Sequence, residues 1–321
     1  MPQSVNAIEI SGLCKSFGAK RAVDGLDLVV SAGELCGFIG PNGAGKTTTI
    51  RMVLSILFPD AGRLAVLGKE SALESRDQIG YLPEERGLYR KMRVAELLQY
   101  VGRLKGLRGP GLRGRVADWL ERVGLADCAR KRCEELSKGM QQKVQFVATV
   151  LHQPDLLILD EPFSGLDPVN MRLLRDLFLA EHARGCTIVF STHVMHQAEQ
   201  LCERIVMLHR GRKVLDGSLA ALRAQHAPSA VVFEPSLPGA DPAPLAALEG
   251  VTSVRPRDGA YELGLEDGAD PAAVIRQATA AVPAARVEVL RPSLEDIFVA
   301  TVAEGDEAAL RAALRDEEGA P

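Results

Sequence analysis

The feature that most restricts the fold of this 321-residue chain is a glycine-rich octapeptide, GPNGAGKT, at residues 40–47. An apolar run from Leu35 to Ile39 precedes it, and a helical pattern from Thr47 to Leu57 follows it. Glycines let successive backbone N–H groups turn inward without Cβ clashes, and the helix N-terminus adds partial positive charge. The arrangement is typical of a phosphate-binding P-loop. A glycine-rich turn without a ligand is the alternative, and the Lys-Thr pair at the helix start argues against it.

Each residue of this loop is a predicted nucleotide contact. Lys46 is expected to reach the outer phosphates, and the Thr47 hydroxyl is expected to coordinate Mg²⁺. The other predicted contacts are Gly40, Pro41, Asn42, Gly43, Ala44, Gly45 and Thr48.

A second motif places two carboxylates at the end of an apolar run. Leu156–Leu159 reads as a buried strand, and Asp160, Glu161 and Pro162 follow it directly. Open α/β sheets bind ligands at the carboxyl ends of their strands. Asp160 is therefore predicted to hold Mg²⁺, and Glu161 to polarise the water that attacks the γ-phosphate. Two solvated acids at a strand end are the alternative interpretation.

The order of elements predicts an α/β fold with a mostly parallel sheet. The first short β-type runs, joined by turns with Gly18 and Asp24-Gly25, indicate an antiparallel flank. Between about residues 86 and 150 the strand pattern gives way to helical spacing, which predicts a helical insertion. The predicted helices are 94–107, 112–123 and 138–151, and the predicted strands are 7–10, 26–30, 35–39, 156–159, 187–191 and 204–208, the last opening a hairpin that runs to residue 215.

The composition changes near residue 228. Nine of the 18 prolines lie in residues 228–292, among brief aliphatic runs. The pattern there is β-α-β-β-α-β, with helices predicted at 242–248 and 271–282, which favours a small α+β domain of the ferredoxin-like kind. We therefore predict a first domain over 1–225, a second over 228–302 and an acidic flexible tail over 303–321.

Composition excludes several classes of protein. Hydrophobic residues make up 46% and charged residues 25%, as in ordinary globular chains. The longest stretch without a charged residue is 14 residues, too short to cross a bilayer, and no signal peptide is apparent, so a cytoplasmic location is expected. The acidic tail accounts for the net charge of −4, which leaves no electrostatic case for nucleic acid. The six cysteines are predicted to be reduced thiols.

With these motifs in this order, residues 7–225 resemble the ATP-binding cassette (ABC) ATPases. Residues 136–141, LSKGMQ, resemble the family's signature sequence, although Lys138 and Met140 depart from its commonest form. Residues 164–167, SGLD, resemble the D-loop. The resemblance implies that five further residues act at the site: Ser137, Gly139 and Asp167 on ATP, His193 as the switch histidine and Phe17 as the ring stacked on adenine.

Glu84 stands where the family carries its Q-loop glutamine, after the segment 79–83. A carboxylate there can still bind Mg²⁺ or orient water, but it adds negative charge beside a triphosphate. Its neighbour Glu85 is expected to face elsewhere. Glu84 is thus predicted to contact both ATP and the metal.

In this family two subunits enclose two ATP molecules, and the signature of one covers the P-loop of the other. The resemblance therefore implies an ATPase with ATP and Mg²⁺ as cofactors and a second ABC subunit, identical or paralogous, as partner. It also implies a separately encoded membrane permease, with this chain peripheral on the inner face of the membrane. Residues 80–89, 136–140 and 292–298 resemble most the ABC-2-type exporter branch, and residues 228–302 resemble its accessory domain.

Two other functions remain open from the sequence. One is a soluble ABC ATPase that acts on nucleic acid or ribosomes, although such relatives usually carry two cassettes, a coiled-coil insertion or a basic surface. The other is a nucleotide-binding regulator without turnover. The presence of Asp160, Glu161 and His193 favours an active ATPase over the regulator.

Overall fold

The computed structural model describes residues 6–85, 87–226, 230–237, 239–266 and 268–303. The chain divides into two compact units, Met1–Gly217 and Ser218–Pro321. The domain limits predicted from composition, with the helical insertion at 86–150, stay predictions, and the predicted acidic tail lies outside the described residues beyond Ala303.

The first unit alternates strands and helices. In chain order its elements are β1 (Asn6–Phe17), β2 (Lys20–Ser31), β3 (Leu35–Ile39), α1 (Lys46–Val53), β4 (Ala61–Val66), β5 (Ile79–Leu82), α2 (Val94–Leu104), α3 (Gly111–Arg122), α4 (Lys138–Val150), β6 (Leu156–Asp160), α5 (Pro168–Ala183), β7 (Thr187–Thr192), α6 (Met195–Leu201), β8 (Arg204–His209) and β9 (Arg212–Ser218). Short 3₁₀ turns occupy Ala72–Gln78, Ala126–Cys128 and Cys133–Glu135.

Six strands form the main sheet in the order β5-β6-β7-β3-β8-β9. The first five are parallel to their neighbours, and β9 follows β8 after a two-residue turn. Because β3, β6 and β7 are parallel neighbours, the loops that follow them meet at one edge of the sheet. The P-loop, the carboxylates at the end of β6 and His193 all lie at this edge.

The predicted antiparallel flank is a second sheet with the order β2-β1-β4. Its inward side chains share a core with α1 and the main sheet, including Ile10, Leu28, Ile50, Ile158 and Val189. Because α1 packs within this shared core, the helix and the loop before it are held in place. The fold class predicted from the sequence, a mostly parallel α/β sheet with an antiparallel flank, is confirmed.

Helix α1 is shorter than its sequence pattern predicts. It ends at Val53 instead of continuing to Leu57, because Ser55 adopts a left-handed conformation with φ 56°. The N–H groups of Ile56 and Leu57 then donate to the carbonyl of Arg51, which closes the helix C-terminus.

The three helices predicted between residues 94 and 151 are confirmed as α2, α3 and α4. Trp119 of α3 contacts Phe146 of α4 edge-on, with ring centroids 6.1 Å apart. Phe146 contacts Phe178 of α5, and Phe163 joins Phe178 to Phe190 of β7. This chain of rings connects helix α4 to β7, the strand that precedes His193.

The second unit begins with α7 (Leu219–Ala224) and then shows the predicted β-α-β-β-α-β order. Its elements are β10 (Ala230–Pro235), α8 (Ala243–Ala246), β11 (Val251–Arg257), β12 (Ala260–Leu265), α9 (Pro271–Ala281) and β13 (Ala284–Leu290), and residues 294–303 are helical. The sheet is antiparallel with the order β11-β12-β10-β13, the arrangement of a ferredoxin-like domain. Helix α8 is a single turn, shorter than the predicted 242–248.

All six cysteines are free thiols, as predicted. Among the described residues, no helix combines the length and the apolar content needed to span a bilayer.

Candidate nucleotide site

The P-loop holds its shape through glycines in conformations that other residues rarely adopt. Gly43 and Gly45 have φ values of 79° and 107°. A Cβ atom on Gly45 would lie 2.4 Å from the Ala22 carbonyl oxygen, and one on Gly40 would lie 2.3 Å from the Leu208 carbonyl oxygen. The loop is therefore packed directly against β2 and β8, and only glycine fits at these two positions.

A cleft of about 210 Å³ opens over the P-loop. The predicted nucleotide contacts that line it are Phe17, Asn42, Gly43, Gly45, Lys46, Thr47, Thr48 and Glu84, and Glu161 lines it as well. Phe17 stands at the end of β1 with half of its surface exposed, as a stacking ring requires. Gly40, Pro41 and Ala44 shape the loop behind this surface.

Lys46 is the buried cation of the cleft. Its Nζ donates to the carbonyl oxygens of Gly40 and Pro41 at 2.6 and 3.1 Å, and 6% of the residue is exposed. Burial lowers the pKa of Lys46, and the charges of Glu161, Asp160 and Glu84 oppose that shift. The ammonium is thus held by two loop carbonyls and is stabilised electrostatically by three carboxylates.

Asp160 offers an acceptor that the described residues leave unused. It is 1% exposed, and its Oδ1 has no hydrogen-bond partner among the residues that the structure describes. Burial raises the pKa of Asp160, the charges of Glu161 and Glu84 add to the rise, and the hydroxyls of Ser191 and Thr47 oppose it. A buried carboxylate beside the Thr47 hydroxyl, with Glu84 near it, is a set of oxygen ligands that fits Mg²⁺.

The structure brings Glu161 and His193 into direct contact. Glu161 Oε1 accepts from the backbone N–H of His193 at 2.8 Å and lies 2.7 Å from His193 Nδ1. Glu161 is 7% exposed and has φ 48°, a left-handed conformation that is strained for glutamate. When Nδ1 carries a proton and donates it to Glu161, His193 Nε2 is the ring nitrogen that can face a ligand.

Glu84 lines the cleft, while Glu85 does not. The loop that carries them is fixed by Gln145 of α4, whose Nε2 donates to the carbonyls of Pro83 and Glu85 at 3.4 and 3.2 Å. A movement of this loop would therefore be transmitted to α4 through these two hydrogen bonds.

The residues that resemble the signature sequence and the D-loop do not line this cleft. Ser137 is the exposed N-cap of α4, and its Oγ accepts from Met140 N at 3.3 Å. Gly139 packs beside Asn170, and a Cβ there would lie 3.0 Å from the amide nitrogen. Asp167 is the N-cap of α5 and accepts from Val169 N and Asn170 N, both at 3.0 Å. These three residues form a second surface next to α5.

Two residues that line the cleft were missed by the sequence reasoning, Lys20 and Ala22. Lys20 pairs directly with Phe17 across the β1-β2 hairpin. The short turn at Gly18 was the signal in the sequence, because a tight hairpin places its two flanking residues side by side.

Comparison with known proteins identifies the family of this chain. Residues 23–164 match the family model described as ABC transporter. An uncharacterized ABC transporter ATP-binding protein of Alkalihalophilus pseudofirmus is 42% identical over 264 residues, 82% of this chain and 98% of that protein. The chain belongs to the ABC transporter ATP-binding proteins.

Other similarities extend this assignment. Residues 217–302 match the C-terminal domain of DrrA1-3-like ATP-binding proteins. The Nod factor export ATP-binding protein I of a Rhizobium species is 36% identical, across 91% of this ABC protein and 96% of the relative. A solved ATP-binding subunit of an ABC transporter superposes with a TM-score of 0.64 at 33% identity, over 68% of this chain and 92% of that one. The family assignment supports the transporter prediction over the nucleic-acid alternative, and the chain is an ATP-binding subunit of the ATPase type.

Glu84 and Glu85 provide a test that uses the charge acting on Asp160. Glu84→Gln removes a negative charge that raises the pKa of Asp160, so that pKa falls. Since a metal needs the ionised carboxylate, the loss of Mg-ATP hydrolysis on acidification should move to lower pH. Hydrolysis rates measured from acid to neutral pH check this. Glu85→Gln is the matched control and should leave the profile unchanged; equal shifts in both variants would show that Glu84 has no special place at the metal.

Proposed function

We propose that this ABC protein hydrolyses Mg-ATP at a seam between two ABC subunits and thereby powers export through a separate membrane subunit. Asp160, Thr47 and Glu84 would hold the metal, Lys46 and the P-loop amides would hold the phosphates, and Glu161 would take the proton of the attacking water. When bound there, Mg²⁺ would supply Lewis-acid stabilisation of the charge that develops on the phosphates.

The contact between Glu161 and His193 is the observation that carries the catalytic assignment. Two donors of His193 and the hydroxyl of Thr192 fix the carboxylate beside the cleft. A general base must be oriented before it can accept a proton efficiently. The strained backbone at Glu161 supports the same assignment, because such strain concentrates at functional sites.

The separation of the cleft from the signature surface supports the two-subunit seam. Ser137 and Gly139 present a hydroxyl and a helix N-terminus to solvent, away from the P-loop of their own chain. Among the described residues that line the cleft, Lys46 is buried, Lys20 is exposed, and the carboxylates of Glu84 and Glu161 stand against them. A triphosphate bound there needs further donors, and the signature surface of a second subunit would provide them.

The relatives support export and a membrane partner for this chain. One relative is named for export of Nod factor, and a solved neighbour, cbiO1 of Clostridium perfringens, is described as part of a transporter complex at 25% identity and a TM-score of 0.61. We infer that this chain also works with a membrane subunit, at the inner face of the membrane. Copurification with that subunit from detergent-solubilised membranes tests the inference, and recovery only as a free protein would contradict it.

Ser137→Asp tests the seam directly. Aspartate is as good an N-cap as serine and suits the positive end of α4, so the helix should remain folded. Its charge would repel a triphosphate presented by another subunit. We expect ATP to bind each monomer as before, whereas ATP-dependent dimerisation is lost and hydrolysis falls by roughly 10²-fold. Sedimentation in the Glu161→Gln background and phosphate release measure the two effects.

Ser218→Asp is the matched control. Ser218 is also an exposed serine N-cap, with Oγ accepting from Ala221 N, but it lies at the start of α7 in the second unit. Its replacement should leave dimerisation and hydrolysis unchanged. Dimers that form equally well with Ser137→Asp would contradict the seam, and would place the complete site within one subunit.

A further inference from the structure

The hydroxyl of Thr192 lies between the carboxylate of Glu161 and the side chain of Gln197. Thr192 Oγ1 is 3.1 Å from Glu161 Oε2 and 3.3 Å from Gln197 Oε1. Thr192 is fully buried at the end of β7, and its Oγ1 accepts from the N–H of Val194 at 3.0 Å. The hydroxyl therefore has two acceptors for a single proton.

Both acceptor distances are longer than the 2.7–2.8 Å typical of a hydroxyl hydrogen bond. Both oxygens lie within hydrogen-bond distance of Thr192 Oγ1, and the hydroxyl has one proton to donate. Gln197 thus offers a second acceptor to the hydroxyl that contacts the Glu161 carboxylate.

We propose that Thr192 is a positioning residue for Glu161, and that Gln197 competes with Glu161 for the Thr192 proton. The inference rests on the proposed role of Glu161 as the base. His193 fixes Oε1 and Thr192 fixes Oε2, so the two together set the plane of the carboxylate. Gln197 belongs to α6, and through it the position of α6 affects the orientation of the base.

Two variants at residue 192 separate positioning from folding. Thr192→Val keeps the shape but removes the hydroxyl, both as donor to Glu161 and as acceptor from Val194 N–H. We expect kcat to fall by about tenfold to a hundredfold while ATP affinity stays unchanged. Thr192→Ser restores the hydroxyl and should restore kcat to within about threefold. A normal kcat in Thr192→Val, or no rescue by serine in a protein that binds ATP normally, would overturn the positioning role.

Two variants of α6 test the competition. Gln197→Leu removes the second acceptor, so kcat should rise by about twofold, because the proton is then given to Glu161 alone. Gln200→Leu is the matched control. Gln197 and Gln200 both line a second cleft, between α5 and α6, but Gln200 is hydrogen-bonded to His196. It should leave kcat unchanged. In the Thr192→Val background, Gln197→Leu should have no effect. A fall in kcat in Gln197→Leu, or an equal rise in both glutamine variants, would overturn the competition.

Amide hydrogen exchange at His193 gives a readout that needs no turnover. The N–H of His193 donates to Glu161 Oε1, so a carboxylate released on one side protects that amide less. We expect exchange at least about tenfold faster in Thr192→Val, and a wild-type rate in Thr192→Ser and Gln200→Leu. Unchanged exchange in Thr192→Val would overturn the positioning role. A wild-type protein that releases no phosphate would instead overturn the proposed ATPase function, and the exchange rates would still decide this inference.

Discussion

Glu161→Gln is expected to bind ATP normally and to hydrolyse it roughly 10² to 10⁴ times more slowly, the usual contribution of a general base. The new amide keeps one oxygen that accepts from His193 N, and its nitrogen can donate to Thr192 Oγ1, so the local structure should persist. What is lost is the basic oxygen that takes a proton from water. ATP binding by calorimetry and phosphate release at saturating Mg-ATP measure the two properties separately.

Glu181→Gln is the control for a buried glutamate. Glu181 is 6% exposed and pairs with Arg184 at 2.9 Å near the end of α5, outside the cleft. Its replacement should change turnover by no more than about threefold, whatever it does to stability. Unchanged turnover in Glu161→Gln would remove this residue from the role of base, and lost ATP binding would show a structural role instead.

Lys46→Met is expected to weaken ATP binding by at least about 30-fold, equivalent to about 2 kcal/mol. That value is the lower end of the cost of removing one partner from a buried, hydrogen-bonded charge pair. Methionine has a similar length, so the cleft should keep its shape while losing the ammonium held by Gly40 and Pro41. Calorimetric titration with Mg-ATP, together with thermal unfolding of the free protein, checks both statements.

Lys20→Met is the control for general electrostatic attraction. Lys20 lines the same cleft but is exposed at the β1-β2 hairpin. Exposed charge pairs contribute little, so its loss should weaken binding by less than about fivefold. Equal losses in the two variants would mean that the cleft attracts ATP only through net charge, and that Lys46 makes no specific contact.

Most of the sheet could be predicted because buried strands leave continuous apolar runs. The predicted strands at β3, β6, β7 and β8 lie within about one residue of their ends in the structure. Two strands were missed. β4 begins with Ala-Gly-Arg, which looks like a loop, and β5 has only four residues. β4 pairs with β1 and β5 pairs with β6, and both partners are distant in sequence. A local sequence pattern does not show which distant strand a segment will pair with.

The site could be predicted in its parts but not in its connections. The motif positions of Lys46, Asp160 and Glu161 followed from local sequence, because backbone turns and strand ends require particular residues there. The contacts of Glu161 with Thr192 and His193 join residues more than 30 positions apart. They depend on β6 and β7 being neighbours in register, with Asp160 opposite Ser191.

The sequence by itself determined that this chain binds a nucleotide, since a P-loop works through backbone groups that glycines make accessible within a few residues. It also determined the α/β class of the first unit and the β-α-β-β-α-β order of the second. Only the tertiary structure decided which side chains share the cleft. It placed Lys20 there, kept Ser137 and Asp167 out of it, and set Gln197 against Thr192. Contacts of this kind depend on the packing of whole strands and helices, which no local stretch of sequence specifies.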